Sequence, residues 1–277
     1  MRKLLTIVAL GITLSATATY AGTLFIGSDR FVFNSLPSVL AKATVNGPNL
    51  VSQTNIPLSF PLNGIGDGPG FLFAGDPDSN TLRTVSYAGN LLSTVSAGFP
   101  SSCCNEEMQY FNGNFYHAHW SDMIQQIDPG NGNVIQTFSA PQDTDVVGMA
   151  VVGTQLWITH WGAREVGVWD PTTNIFTFKF STPSNAGALA YDPQAGILWI
   201  GLEGGLVQPY DLTGAALGAG FSPFGAIGDT IDGLTFQGEA GAAPRVGAPV
   251  LSFCGIGLLG LLLFLLGWRG VMRSSAS

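Results

Sequence analysis

Gln155–Pro183, QLWITHWGAREVGVWDPTTNIFTFKFSTP, contains three apolar runs broken by turn residues. LWITHW reads as one strand, EVGVWDP as a second and IFTFKF as a third. In the third, Ile175, Thr177 and Lys179 share one face, and Phe176, Phe178 and Phe180 share the other. Alternation of period two marks half-buried strands. Asp170-Pro171 and the following Thr-Thr-Asn form the turn, because proline fixes φ and asparagine tolerates a tight backbone. DVVGMAVVG, just upstream, supplies a fourth strand. Four strands in about forty residues is the size of one propeller blade.

Copies of this unit lie on both sides. NFYHAHWSDMIQQIDPGNGNVIQTFSAP starts at Asn114, ILWIGLEGGLVQPYDLTGAALGAGFSP at Ile197, and the looser FLFAGDPDSNTLRTVSYAGNLLSTVSAG at Phe71. A fragment, LFIGSDRFVF, starts at Leu24. Equivalent positions at Leu24, Phe71, Phe115, Leu156 and Leu198 are spaced by 47, 44, 41 and 42 residues. Such a period signals stacked supersecondary units, none able to bury its own faces alone. DTIDGLTFQG, Asp229–Gly238, resembles an inner strand with no blade after it. Pairing with Thr23–Ser28 completes the first unit and closes the ring, removing exposed sheet edges. The expected fold is all-β, a five-bladed β-propeller over residues 22–238. A six-bladed ring is the alternative if Leu36–Pro61, which reads as weak strands with long loops, hides another blade.

Two targeting segments flank this domain. Met1–Ala21 has the charged start, apolar core and small-residue end of a secretory signal peptide. Residues 239–248 read as a small-residue linker. Pro249–Trp268, PVLSFCGIGLLGLLLFLLGW, carries no charge in 20 residues, the length of a transmembrane helix. Arg269 and Arg273 hold its C-terminal end on the cytoplasmic side. Between Gly22 and Ala248 there are 6 Lys/Arg against 18 Asp/Glu, a net charge of −12. That acidity argues against nucleic acid as a partner.

Chemistry-bearing residues are few. His117, His119 and His160 are the three histidines, and His119-Trp120 and His160-Trp161 recur one unit apart. Asp29, Asp76 and Glu203 fall at the next position in other copies. A ring of His117, His119, His160 and Glu203 at one mouth is a divalent-metal pattern, which would make the protein a propeller hydrolase or lyase. The competing reading has each His-Trp pair closing a strand end, with the imidazole bonded to a backbone carbonyl. There is no nucleophile elbow and no HExxH. Asn63–Gly70 is glycine-rich but lacks the ending of a phosphate loop. Adjacent Cys103 and Cys104 in an exported chain suit a vicinal disulfide; buried thiols and intermolecular pairing are the alternatives.

The tail, residues 249–277, resembles the PEP-CTERM class of bacterial sorting signals, and its Pro249-Val250-Leu251-Ser252 is closer to the IPTL-type variant. This resemblance implies export, transient membrane anchoring, removal of the tail by an exosortase-like protease, and a final place at the cell surface or outside it, often with exopolysaccharide. The blades resemble NHL and quinoprotein-like repeats, a likeness of fold that transfers no function. The sequence therefore favours a non-catalytic surface or matrix protein that binds exopolysaccharide or another surface protein.

Overall fold

The computed structural model describes residues 21–28, 31, 34–75, 80–98, 105–120, 122–141, 145–225 and 230–239. Among these residues no helix is long and apolar enough to cross a membrane. The expected span at 249–268 and the signal segment before Ala21 lie outside them.

The strands form five antiparallel sheets, the blades. Blade 1 holds β1 (Ala21–Gly27), β2 (Val39–Asn46) and β3 (Asn49–Pro57). Blade 2 holds β4 (Ile65–Asp67), β5 (Leu72–Gly75), β6 (Thr81–Val85) and β7 (Leu91–Ser96). Blade 3 holds β8 (Asn105–Phe111), β9 (Asn114–His119), β10 (Met123–Ile127) and β11 (Val134–Ser139). Blade 4 holds β12 (Val146–Val152), β13 (Gln155–His160), β14 (Glu165–Asp170) and β15 (Ile175–Ser181). Blade 5 holds β16 (Ala186–Asp192), β17 (Ile197–Leu202) and β18 (Leu206–Tyr210), with Ala216 and Phe221 bridging onto its outer edge. Finally β19 (Gly233–Phe236) returns to blade 1 as its inner strand, with Leu24 opposite Phe236 and Gly27 opposite Gly233. The ring closes as the sequence predicts.

Two expectations change. Leu36–Pro61 hides no sixth blade: β2 and β3 are an antiparallel hairpin, with one register shift between Thr44 and Val45, that forms the outer half of blade 1. In blade 2 the equivalent position is Leu72, not Phe71, because Leu72 pairs with Asp67 as Leu156 pairs with Val151. Phe71 belongs to the turn after Gly70.

Burial falls from axis to rim. β12 is buried throughout, whereas β3 and β7 are mostly exposed. The apolar residues form five clusters, one at each seam between neighbouring blades. Strand alternation produces this arrangement. Leu156 and Ile158 face blade 3, while Trp157 between them faces blade 5. Phe25, Phe73, Tyr116, Trp157 and Trp199 hold the same position, and each packs onto the following blade.

The axis is filled by carboxylates. The register puts Glu107 where other inner strands have Gly148, Ala188 and Gly233. The small residues leave room, and the Glu107 carboxylate accepts N–H bonds from Met149 (3.0 Å), Leu189 (2.6 Å) and Leu234 (2.7 Å), three different blades. Two residues further along those strands, Glu239 accepts from Val151 N (2.8 Å) and Phe236 N (3.1 Å), and also from the Tyr191 N–H and Gln109 Nε2 (2.9 Å). Glu239, expected in the linker, is thus a buried part of the ring. Beside it, Asp67 accepts from Gly238 N and from the Tyr87 hydroxyl, both at 2.8 Å. Burial pushes the Glu107 and Glu239 carboxyls well up, and their backbone N–H bonds pull them back down. The inner strands approach closely here. A Cβ on Gly66 would lie 2.2 Å from the Met108 carbonyl oxygen, and one on Gly233 would lie 2.5 Å from that of Asn63.

Removing Gly233–Phe236 exposes the edge of β1 and both seams beside it, so the shortened chain is expected to be insoluble. A soluble product with unchanged thermal unfolding contradicts ring closure. Glu107→Ala leaves three buried N–H groups without their acceptor. It should cost about 3–5 kcal/mol in urea unfolding, with Glu107→Gln falling between Ala and wild type.

Candidate functional site

The histidines occupy core positions, not the mouth of the ring. His117 stands in register where blades 1, 2, 4 and 5 have Ile26, Ala74, Ile158 and Ile200. It shares with His119 the face of β9 that carries Phe115, and Phe115 packs on blade 2. The two rings are 6.1 Å apart, and both are buried. His160 shares with Leu156 and Ile158 the face of β13 turned to blade 3. Recurrence one repeat apart therefore places His119 and His160 in successive seams. Glu203 is exposed at the turn after β17, and its N–H donates to Asn185 O at 2.9 Å. The four expected ligands do not converge, and among the described residues no group of three or more His, Cys, Asp or Glu is placed to hold a metal. Cys103, Cys104 and the sorting residues Pro249, Leu251, Ser252, Arg269 and Arg273 lie outside the described residues.

His160 also departs from the strand-end reading. Its ring lies 4.2 Å from Phe176 by centroids, and neither ring nitrogen has a hydrogen-bond partner. Glu165 Oε2 stands 3.9 Å from Nδ1, beyond bonding reach. Burial lowers His160 to about 4. Burial, followed by the charge of His119, lowers His117 to about 3. Both are neutral imidazoles at neutral pH.

The two ends of the ring differ in chemistry. We call upper the end where inner strands begin and where β9 and β13 finish. At the lower end, acidic residues are absorbed by turns. Asp128 accepts from Gly130 N, Asp170 from Thr172 N and Asp211 from Thr213 N, each at 2.8 Å. Asp192 accepts from Gln194 N at 2.9 Å. At the upper end lie Asp122 of blade 3 and Asp145, which leads into β12 of blade 4. Burial first, then Asp122, raises the Asp145 carboxyl. Beside them Trp120 and Trp161 stand 5.7 Å apart at 62°. Trp120 is 39% exposed. Trp161 lies over Gly187, where a Cβ would come within 3.2 Å of its ring. The backbone N–H of Trp161 donates to Asp145 O at 2.9 Å, tying the two segments together.

The sequence singled out the two tryptophans only as companions of the histidines. Asp122, Asp145, Glu107 and Glu239 were not distinguished. Asp122 offers one local signal: it follows Trp-Ser rather than preceding the Pro-Gly or Pro-Thr that marks Asp128 and Asp170.

Comparison with solved structures agrees with the fold. A protein of unknown function from Bacteroides caccae is similar, with a TM-score of 0.52 at 11% identity, over 79% of this chain and 99% of that one. Glutaminyl cyclase of Myxococcus xanthus gives a TM-score of 0.46 at 10% identity over 73% and 87%. A computationally designed protein gives 0.40 at 14% over 55% and 92%. The first likeness is one of fold alone, and the other two carry no functional weight. No protein-family model and no curated protein matches the sequence. The chain is a five-bladed β-propeller, with Trp120 and Trp161 paired at the upper end of the seam between blades 3 and 4.

The depressed His160 makes the seam between blades 3 and 4 sensitive to acid. The unfolded chain takes up a proton near pH 6.5 while the folded one resists until about pH 4, so stability is lost as pH falls through that window. His160→Leu, the residue at the equivalent Leu202, should lose about 2 kcal/mol less than wild type between pH 7 and pH 5. Urea midpoints at the two pH values measure this difference, and equal losses would contradict it.

Proposed function

We propose that this chain is an exported, non-catalytic binding protein whose propeller is held at the membrane by its C-terminal tail and used outside the cell. One observation carries the binding role: Trp120 and Trp161 are paired at the upper end, with Trp120 exposed, although burying an indole is strongly favourable. The ring axis is taken up by Glu107 and Glu239, whose hydrogen bonds tie the blades together. Binding chemistry is thus left to the upper rim. Exopolysaccharide or another surface protein is the partner that the sorting-signal resemblance brings to this reading.

The placement outside the cell rests on the order of segments. Met1–Ala21 leads export, and Pro249–Trp268 stops it. Leu258, Leu259, Leu261, Leu262, Leu263, Phe264, Leu265 and Leu266 each favour insertion by roughly 0.3–0.6 kcal/mol near the bilayer centre. Arg269 and Arg273 resist translocation, and an exosortase-like protease then removes the tail.

Added protease should digest the propeller in spheroplasts, and intact mass should show an end before Ser277. A protected domain overturns the orientation. A mass that always includes Ser277 leaves a surface propeller with a permanent anchor.

A further inference from the structure

Apolar exposure and the absence of acid coincide on one flank of the ring. The chain holds 18 Asp and Glu, yet residues 30–66, 79–105 and 212–228 contain none. Among the described residues, six of the ten exposed large apolar side chains belong to these segments: Leu36, Leu50, Val51, Leu91, Leu92 and Leu217. The segments meet around β3. Gln53 Nε2 donates to Pro223 O at 2.7 Å, and a Cβ on Gly89, just before Leu91, would lie 2.6 Å from the Ile56 side chain. The described cations of the flank are engaged. Lys42 lies over the Phe25 ring, and Arg83 Nη1 donates to Pro61 O at 3.2 Å.

At the centre of this flank β3 is an open edge. It pairs with β2 on one side, and no described strand covers the other. Edge strands are commonly blunted by charge, internal proline or shortness. With 9 residues, β3 is the longest described strand, it carries no charge, and Pro48 and Pro57 stand at its ends. Its one register shift falls near its start, at Val51. The Leu58 N–H donates to Ser38 O at 2.8 Å, which sets the parity of the ladder. Counting back from that bond, Ile56 and Thr54 bond to β2, while Asn55 and Gln53 turn their N–H and C=O groups outwards.

We propose that this edge is a self-association surface, where β3 pairs antiparallel with β3 of a second copy about a two-fold axis through Thr54. The axis sets Gln53 of each copy against Asn55 of the other, so the outward N–H and C=O groups of both residues are bonded. Charge selects this flank for a like partner. The net −12 between Gly22 and Ala248 opposes contact between copies elsewhere, whereas here no carboxylate meets another. Depletion of charge around exposed aliphatic side chains is also the composition of a protein interface. An isologous contact is complete with two copies, and it leaves the tryptophan pair on blades 3 and 4 free.

Sedimentation equilibrium of the full-length chain in a density-matched non-ionic detergent tests this pairing. A monomer–dimer equilibrium with a dissociation constant of about 10 μM is expected. Thr54→Asp sets two carboxylates face to face on the axis, and Asn55→Pro removes an outward N–H without touching the β2 ladder. Each should weaken the dimer by about tenfold or more and leave the thermal midpoint unchanged. If Asn55→Pro fails to fold, Thr54→Asp decides. Across the axis the two Thr54 residues form a non-hydrogen-bonded pair, with Cα atoms about 4.5 Å apart, within reach of a disulfide. Under mild oxidation Thr54→Cys should therefore link to itself far more than Thr177→Cys, at an exposed position of β15, with wild type as the blank. A chain that stays monomeric, a dimer that survives both variants, or linking no greater than at Thr177 overturns the proposal. So does a Thr54→Cys chain that, oxidised in cells, links to a different protein and never to itself.

Discussion

Every apolar cluster in the domain is shared between two blades, and that sharing dictates the architecture. A strand of period two has two faces, and in β13 both are apolar: Leu156 and Ile158 on one, Trp157 on the other. Each face needs a neighbouring blade. A linear array would leave two faces bare, at roughly 25 cal/mol for each Å2 of apolar surface left in water. Closure by β19 against β1 removes both bare faces at once, so the last described strand holds the first blade in place.

Closure creates a second demand, because the inner strands turn a row of N–H groups to an axis too narrow for another strand. Buried donors need acceptors. Glu107 and Glu239 answer at two levels, bonding the backbones of blades 1, 4 and 5. Their carboxyls tie separate sheets together where apolar side chains cannot reach, and the glycines and alanine opposite Glu107 are small for the same reason. The ring thus has an apolar set of seams and a polar axis, each completing the other.

The upper end carries what neither demand explains. His117, His119 and His160 look chemical in the sequence, yet all three are buried in the seams, His117 at a position held elsewhere by Ile or Ala. Trp120, by contrast, is exposed, beside a half-buried Trp161. Burial, and after it Asp122, raises the Asp145 carboxyl.

Period, blade number and closure were legible in the sequence because strand alternation and turn chemistry are local. Asp170-Pro171 and the repeat starting at Leu156 carry them in plain order, and the orphan strand around Leu234 implies the closing pair. Even so, the loose second copy was read one residue out of step, since Phe71 is as apolar as Leu72 and only pairing with Asp67 separates them. The roles of polar residues were decided by tertiary structure. Glu107 is indistinguishable from Glu106 until the ring turns its carboxylate to the axis, and Glu239 looks like linker until it meets Val151 and Gln109. His119 and His160 share a repeat position, but a closed ring sends that position to successive seams. Alternation along a strand fixes which residues share a face, and only the neighbouring blades fix what that face meets.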